Sequence, residues 1–166
     1  MSRMLAWCVR EHADSDAEGE AKKTPISGPA DAARLLGPLL RVQTREVFVL
    51  LALDTRGRAG EPRLVSMGSL SASIVHPREV FREAIAAEAS SIIVAHNHPS
   101  GDATPSPEDI AVTRKLVAAG EILGIPVLDH LIFGKVFTSL RDIGIFCPET
   151  DVGIPGANFY RGRPRK

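Results

Sequence analysis

Residues 47–53 read VFVLLAL, seven positions in a row without a polar side chain. A β-prone run of this kind, stopped by the turn DTRGR, is the signature of a buried strand. The rest of the chain is organised around it. A second strand, roughly residues 63–69, is expected to pair with it as a hairpin across DTRGRAGEP. Upstream, ADAARLLGPLLR (30–41) has helical spacing, with Leu35, Leu36, Leu39 and Leu40 as the apolar set, and the Gly37-Pro38 step is expected to kink or split that helix. Downstream, Pro77 opens a helix, PREVFREAIAAEA, whose apolar face is Val80, Phe81, Ala84 and Ile85. Ser91–Ala95 is a short apolar strand, and a helix follows from about Pro107 to Leu123, ended by Gly124 and Pro126. PVLDHLIFG and KVFTSL are the last strands, with a short closing element through Phe146. Helices alternate with strands and some connections are hairpins, so the expected class is α/β, a mixed β-sheet flanked by helices.

The chain has 166 residues, enough for one domain with a modest core. That domain is expected over residues 29–147. Residues 1–28 are expected to form an acidic, flexible arm and residues 148–166 an irregular basic tail. Both lack apolar periodicity and are expected to be dispensable for the fold. Twenty Lys and Arg cancel twenty Asp and Glu, so net charge supplies no argument for a nucleic-acid or membrane partner. The two cysteines, Cys8 and Cys147, are far apart and outside any CxxC, which excludes a disulfide framework and a cysteine zinc site. No run approaches the length of a membrane span, and no signal peptide is expected. A reducing, cytoplasmic location is expected.

The chemistry concentrates in SIIVAHNHPSGDATPSPEDI, residues 91–110. On a strand, residues i and i+2 share a face, so His96 and His98 can converge where the strand runs out. Strand ends are where sites form in α/β sheets. Pro99 and Gly101 turn the chain, and Asp109 falls on the first turn of the next helix, where its carboxylate could swing back to the two rings. Two histidines, one carboxylate and a fourth position left for water make the open geometry of a catalytic zinc site. A blander reading stands beside this one. Ser106-x-x-Asp109 is a serviceable helix cap, and a lone histidine at a strand end is ordinary. Capping needs no histidines, however, and a capping serine can still present its hydroxyl to a site. The letters HNH at 96–98 are not the nuclease motif of that name, which spans a ββα unit. The zinc deaminase pattern and H-E-x-x-H are absent.

His96-x-His98, seven residues, Ser106, two residues, Asp109 resembles the JAMM motif of the JAB/MPN metallopeptidase superfamily. HNHPSGDATPSPED, VHPREVFREAI before it and GIPVLDHLIFG after it are similar to the RadC branch, and the resemblance runs from about Arg45 to Phe146. It implies a single JAB/MPN-like (cytidine-deaminase-like) domain. It also implies zinc held by His96, His98 and Asp109, with Glu46 as general base and Ser106 as donor to the oxyanion. The reaction class implied is hydrolysis of an amide, peptide or isopeptide bond, on a protein or peptide substrate. Asp129 and His130 match the family's LDH: either they stand behind the ligands, with a buried Asp129 orienting a ligand imidazole through its free N–H, or they are a polar pair ending a strand. His76 is expected to cap or flank the helix at Pro77. Ala103 stands where a proline is common in the family, and the forty-odd residues before Glu46 hold no helix-hairpin-helix module of the RadC type. Two other functions stay open: a DNA-repair accessory protein, for which the basic end Arg161–Lys166 is the one supporting feature, and a non-catalytic JAB-like binding module. An oligomer is compatible with the sequence.

Overall fold

A computed structural model describes residues 23–68 and 75–146. Most of the expected arm and all of the expected tail lie outside the described residues. In chain order the elements are β1 (Thr24–Pro25), α1 (Pro29–Leu40), β2 (Val47–Leu53), β3 (Arg58–Ala59), β4 (Arg63–Met67), α2 (Pro77–Ala86), β5 (Ser91–Asn97), α3 (Pro107–Leu123), β6 (Val127–Phe133) and β7 (Phe137–Ser139). They form one mixed seven-stranded sheet in the order β1-β3-β2-β5-β6-β7, with β4 also on the outer edge of β2. β2 pairs antiparallel with β5, and β5 pairs parallel with β6 across the α3 crossover.

Period-two alternation sorts the side chains into two cores. From β2 and β5, Val47, Val49, Leu51, Leu53, Ile93 and Ala95 pack beneath α1. Phe48, Leu50, Ile92 and Val94 point the other way, against α2 and α3. His96 shares the alternation of Ile92 and Val94, so it points to the face that carries α3. Asn97 points to the α1 face. No helix among the described residues is long and apolar enough to cross a membrane.

Several expectations need correction. α1 runs unbroken through Pro38. Proline removes the bond to the Arg34 carbonyl, but residues 34 and 38 are both exposed, so water can satisfy that carbonyl and the helix continues. Ile85 is exposed, because the buried stripe of α2 is Val80, Phe81 and Ala84. β5 continues past Ala95 to Asn97, which places His96 inside the strand and His98 just beyond it.

The end of the expected arm also belongs to the packed structure. Thr24 and Pro25 pair with Ala59 and Arg58, and Ile26 is 1% exposed within the α1-side core. The packed region therefore starts before residue 29. Ile26→Ala should lower stability by about 2–5 kcal/mol, read from the urea midpoint. An unchanged midpoint would show that residues 24–26 only lie against the domain.

Candidate metal centre

His96 and His98 come from β5 and its exit, and Asp109 from the first turn of α3. Their ligand atoms all lie within 4.8 Å of one another. His96 Nε2 is 2.9 Å from His98 Nε2 and 3.1 Å from Asp109 Oδ1, and His98 Nε2 is 3.4 Å from Asp109 Oδ2. The His96 ring stacks on Phe48, its register partner on β2, at 6.0 Å between centroids and 9° between planes. The side chains of His96 and Asp109 are almost fully buried, while that of His98 is 16% exposed and forms the wet side of the group.

The turn after His98 is fixed by backbone contacts. The His98 amide donates to the Phe133 carbonyl at 2.7 Å, and the Lys135 amide donates to the Gly101 carbonyl at 2.9 Å. Gly101 sits at φ +83°, in the left-handed region that glycine tolerates. A Cβ at Gly134 would collide with the Gly101 carbonyl, so the β6–β7 turn can approach this loop only as glycine. Held in this way, the loop brings the Asp102 carbonyl to 2.8 Å from His98 Nδ1. A carbonyl only accepts, so Nδ1 carries the proton, and a neutral His98 ring presents a bare Nε2 to the cluster.

Asp109 is both cap and candidate ligand. Ser106 Oγ accepts from the Asp109 amide at 3.1 Å, and the Ser106 amide and hydroxyl both donate to Oδ2 at 2.8 Å. The capping box thus occupies Oδ2 and turns Oδ1 towards His96. Burial alone would raise this carboxyl. The adjoining His96 ring and the two Ser106 bonds outweigh it and hold Asp109 well below the usual carboxylate range. Asp109 is therefore ionised at any working pH. Imidazole nitrogen and carboxylate oxygen on three converging side chains suit a borderline divalent ion such as zinc. Lone pairs this close repel one another unless a proton or a metal ion sits among them, so the donor set fits a metal.

Glu46 and Ser106 line the same cleft. It has a volume of about 650 Å³, and His98, Asp109, Val75, Val112 and Lys115 also face it. Glu46 precedes β2. The β2–β5 register pairs Phe48 with His96, and continuing it by two residues sets Glu46 across from His98. The backbone on either side of Glu46 is clamped by buried Asn97, which accepts from the Val47 amide at 2.8 Å and donates to the Arg45 carbonyl at 3.0 Å. Asn97 does not stand out in the sequence. It lies between the two histidines, and the strand alternation that sends them to one face sends it to the other.

Asp129 and His130 part company. Asp129 bonds to the Ser139 hydroxyl at 2.7 Å, the His130 amide at 2.7 Å and the Arg141 amide at 3.2 Å, and touches no ligand ring. Its expected role in orienting an imidazole is corrected, because β6 alternation points it away from the ligands. His130 does reach His96, with Nε2 at 2.8 Å from His96 Nδ1. Burial, with the neighbouring His96, holds the His130 ring well below its usual range, so it is neutral. His76 occupies the N-cap position of α2 without a side-chain cap bond, so it flanks the helix.

Comparison with known proteins bears on the same residues. The sequence model of the RadC-like JAB domain family matches residues 26–145. The UPF0758 protein of Methanosarcina mazei is 51% identical over 126 residues, 75% of this chain and 55% of the relative. The UPF0758 protein of Moorella thermoacetica is 54% identical over 121 residues (72% and 53%), and UPF0758 protein YsxA of Bacillus subtilis is 52% identical over 120 (72% and 52%). The chain spans about half the length of these curated relatives.

Burial pushes the Asp129 carboxyl up to about 6, against the pull of its three hydrogen bonds and with the Asp142 charge adding to the rise. At low pH the group is neutral in folded and unfolded chains alike. Between the ordinary value of 3.8 and about 6 the unfolded chain releases the proton and the folded chain keeps it, so stability falls as pH rises through that window. Asp129→Asn stays neutral throughout. Relative to this variant, the wild type should lose roughly 1–3 kcal/mol between pH 4 and 7, measured by urea unfolding in chelator. Parallel pH profiles would contradict the buried-carboxyl account.

Proposed function

This chain belongs to the RadC-like JAB domain family, and from that membership we propose that it is a zinc-dependent hydrolase of an amide, peptide or isopeptide bond. The observation that carries the reading is the meeting of two kinds of group in one cleft. His96, His98 and Asp109 lie close enough together to hold an ion, and Glu46 and Ser106 line the space beside them. A binding module would need the first group without the second.

When bound, the ion supplies Lewis acidity, which acidifies water and polarises a carbonyl. The chain's own residues do the rest. Glu46 accepts a proton from the attacking water and returns it to the leaving nitrogen. The Asn97 clamp on both sides of Glu46 limits where that carboxylate can go, which serves proton transfer over hydrogen-bond distances. Ser106, relieved of its bond to Oδ2, turns its hydroxyl to the developing oxyanion. Val75, Ala111 and Val112 give the cleft an apolar wall, with Lys115 and Glu108 at its polar side, a lining suited to a peptide segment.

The test uses zinc-loaded protein and a quenched-fluorescence peptide library that includes isopeptide-linked members. Cleavage should require zinc. Glu46→Gln should keep full zinc content and lose roughly two to four orders of magnitude in rate. A Glu46→Gln protein as active as wild type would remove the general base from this scheme.

A further inference from the structure

We propose that Thr113 and His130 are positioning residues of the metal centre: acting through one hydrogen-bonded chain, they set the proton of His96 on Nδ1 and leave Nε2 bare for the ion. This rests on the metal-binding reading above and names residues that act behind it. The chain begins at a ligand's own backbone. Thr113 Oγ1 lies 2.6 Å from the Asp109 carbonyl, which only accepts, so the single hydroxyl proton goes there. Thr113 Oγ1 also lies 2.6 Å from His130 Nδ1. Its proton already committed, the hydroxyl can only accept, and His130 Nδ1 therefore carries hydrogen. His130 is fully buried, with Phe48 set edge-on at 5.4 Å. A second ring proton would place a cation in this enclosed site, so Nε2 is an acceptor. The remaining contact, 2.8 Å from His130 Nε2 to His96 Nδ1, is then a bond donated by His96.

The direction of every bond thus follows from one backbone carbonyl. The chain runs His96 to His130 to Thr113 to Asp109, on β5, β6 and α3, so it ties two ligands from different elements into one unit. His98 obtains the same tautomer by a separate route, through the Asp102 carbonyl. The hydrogen bonds of Thr113 go to the Asp109 backbone carbonyl and to His130, and Thr113 is not among the residues lining the cleft, so its influence is on the readiness of His96 as a donor.

The experiment measures zinc affinity by competition with a chromophoric chelator for wild type, Thr113→Val and Thr113→Ser, with melting of the zinc-free proteins as the control for folding. Valine keeps the shape and removes the acceptor. His130 is then free to hold its proton on Nε2, which forces the His96 proton onto the ligating nitrogen. Thr113→Val should bind zinc about 10- to 100-fold more weakly, and Thr113→Ser, which keeps the hydroxyl, should stay within about threefold of wild type. Imidazole nitrogen NMR of the zinc-free wild type reads the tautomer without any variant: His96 should carry its proton on Nδ1. Wild-type affinity in Thr113→Val, or a His96 proton on Nε2, overturns the proposal and leaves the metal site standing. A wild type that takes up no zinc overturns the metal reading itself, and this proposal with it.

Discussion

The site depends on β5 being paired along both edges. β2 holds it antiparallel on one side and β6 parallel on the other. That double pairing fixes the phase of the strand, and the phase decides that His96 faces α3 while Asn97 faces α1. A slip of one residue would exchange them, removing a ligand from the cluster and the clamp from Glu46. The apolar side chains of β2, β5 and β6, buried on both faces, resist such a slip.

Magnitudes separate the cap from the ligand. A capping box at a helix start contributes about 1 kcal/mol. Placing a carboxylate in a nearly closed site costs several kcal/mol unless opposite charge or hydrogen bonds offset it. Capping alone does not account for two imidazole nitrogens aimed at the same carboxylate, or for the separate bonds that keep those rings in place. A metal site does. It would use Oδ1 and both Nε2 atoms and leave Oδ2 to the helix cap, so the two roles of Asp109 would draw on different oxygens.

Much of this was legible in the sequence, for physical reasons. The elements β2, β5, α3 and β6 announce themselves through apolar runs, a capping pair and a glycine stop. His96, His98 and Asp109 are visible because strand periodicity and a short turn bring them together. Glu46 is different: nothing local marks it, and only the family resemblance singled it out. β1 and β3 span two residues each, too few for any periodicity. Asp129 and His130 are neighbours, so one of them must face the ligands, but which one depends on the phase of β6 against β5, with its irregularity at Ile92/Ile93. Thr113 reads as an ordinary helical threonine one turn after Asp109. Its place in the chain of hydrogen bonds exists only once β6 is packed against α3.

The central claim is that three side chains from β5 and α3 make one metal centre. X-ray absorption at the zinc edge, on protein loaded with one equivalent, reads that centre directly. The account predicts a first shell of nitrogen and oxygen at about 2.0–2.1 Å, with the outer-shell scattering of two imidazole rings. A shell containing sulfur at about 2.3 Å would place the ion on Cys8 or Cys147 instead, and a shell without imidazole scattering would contradict the account outright.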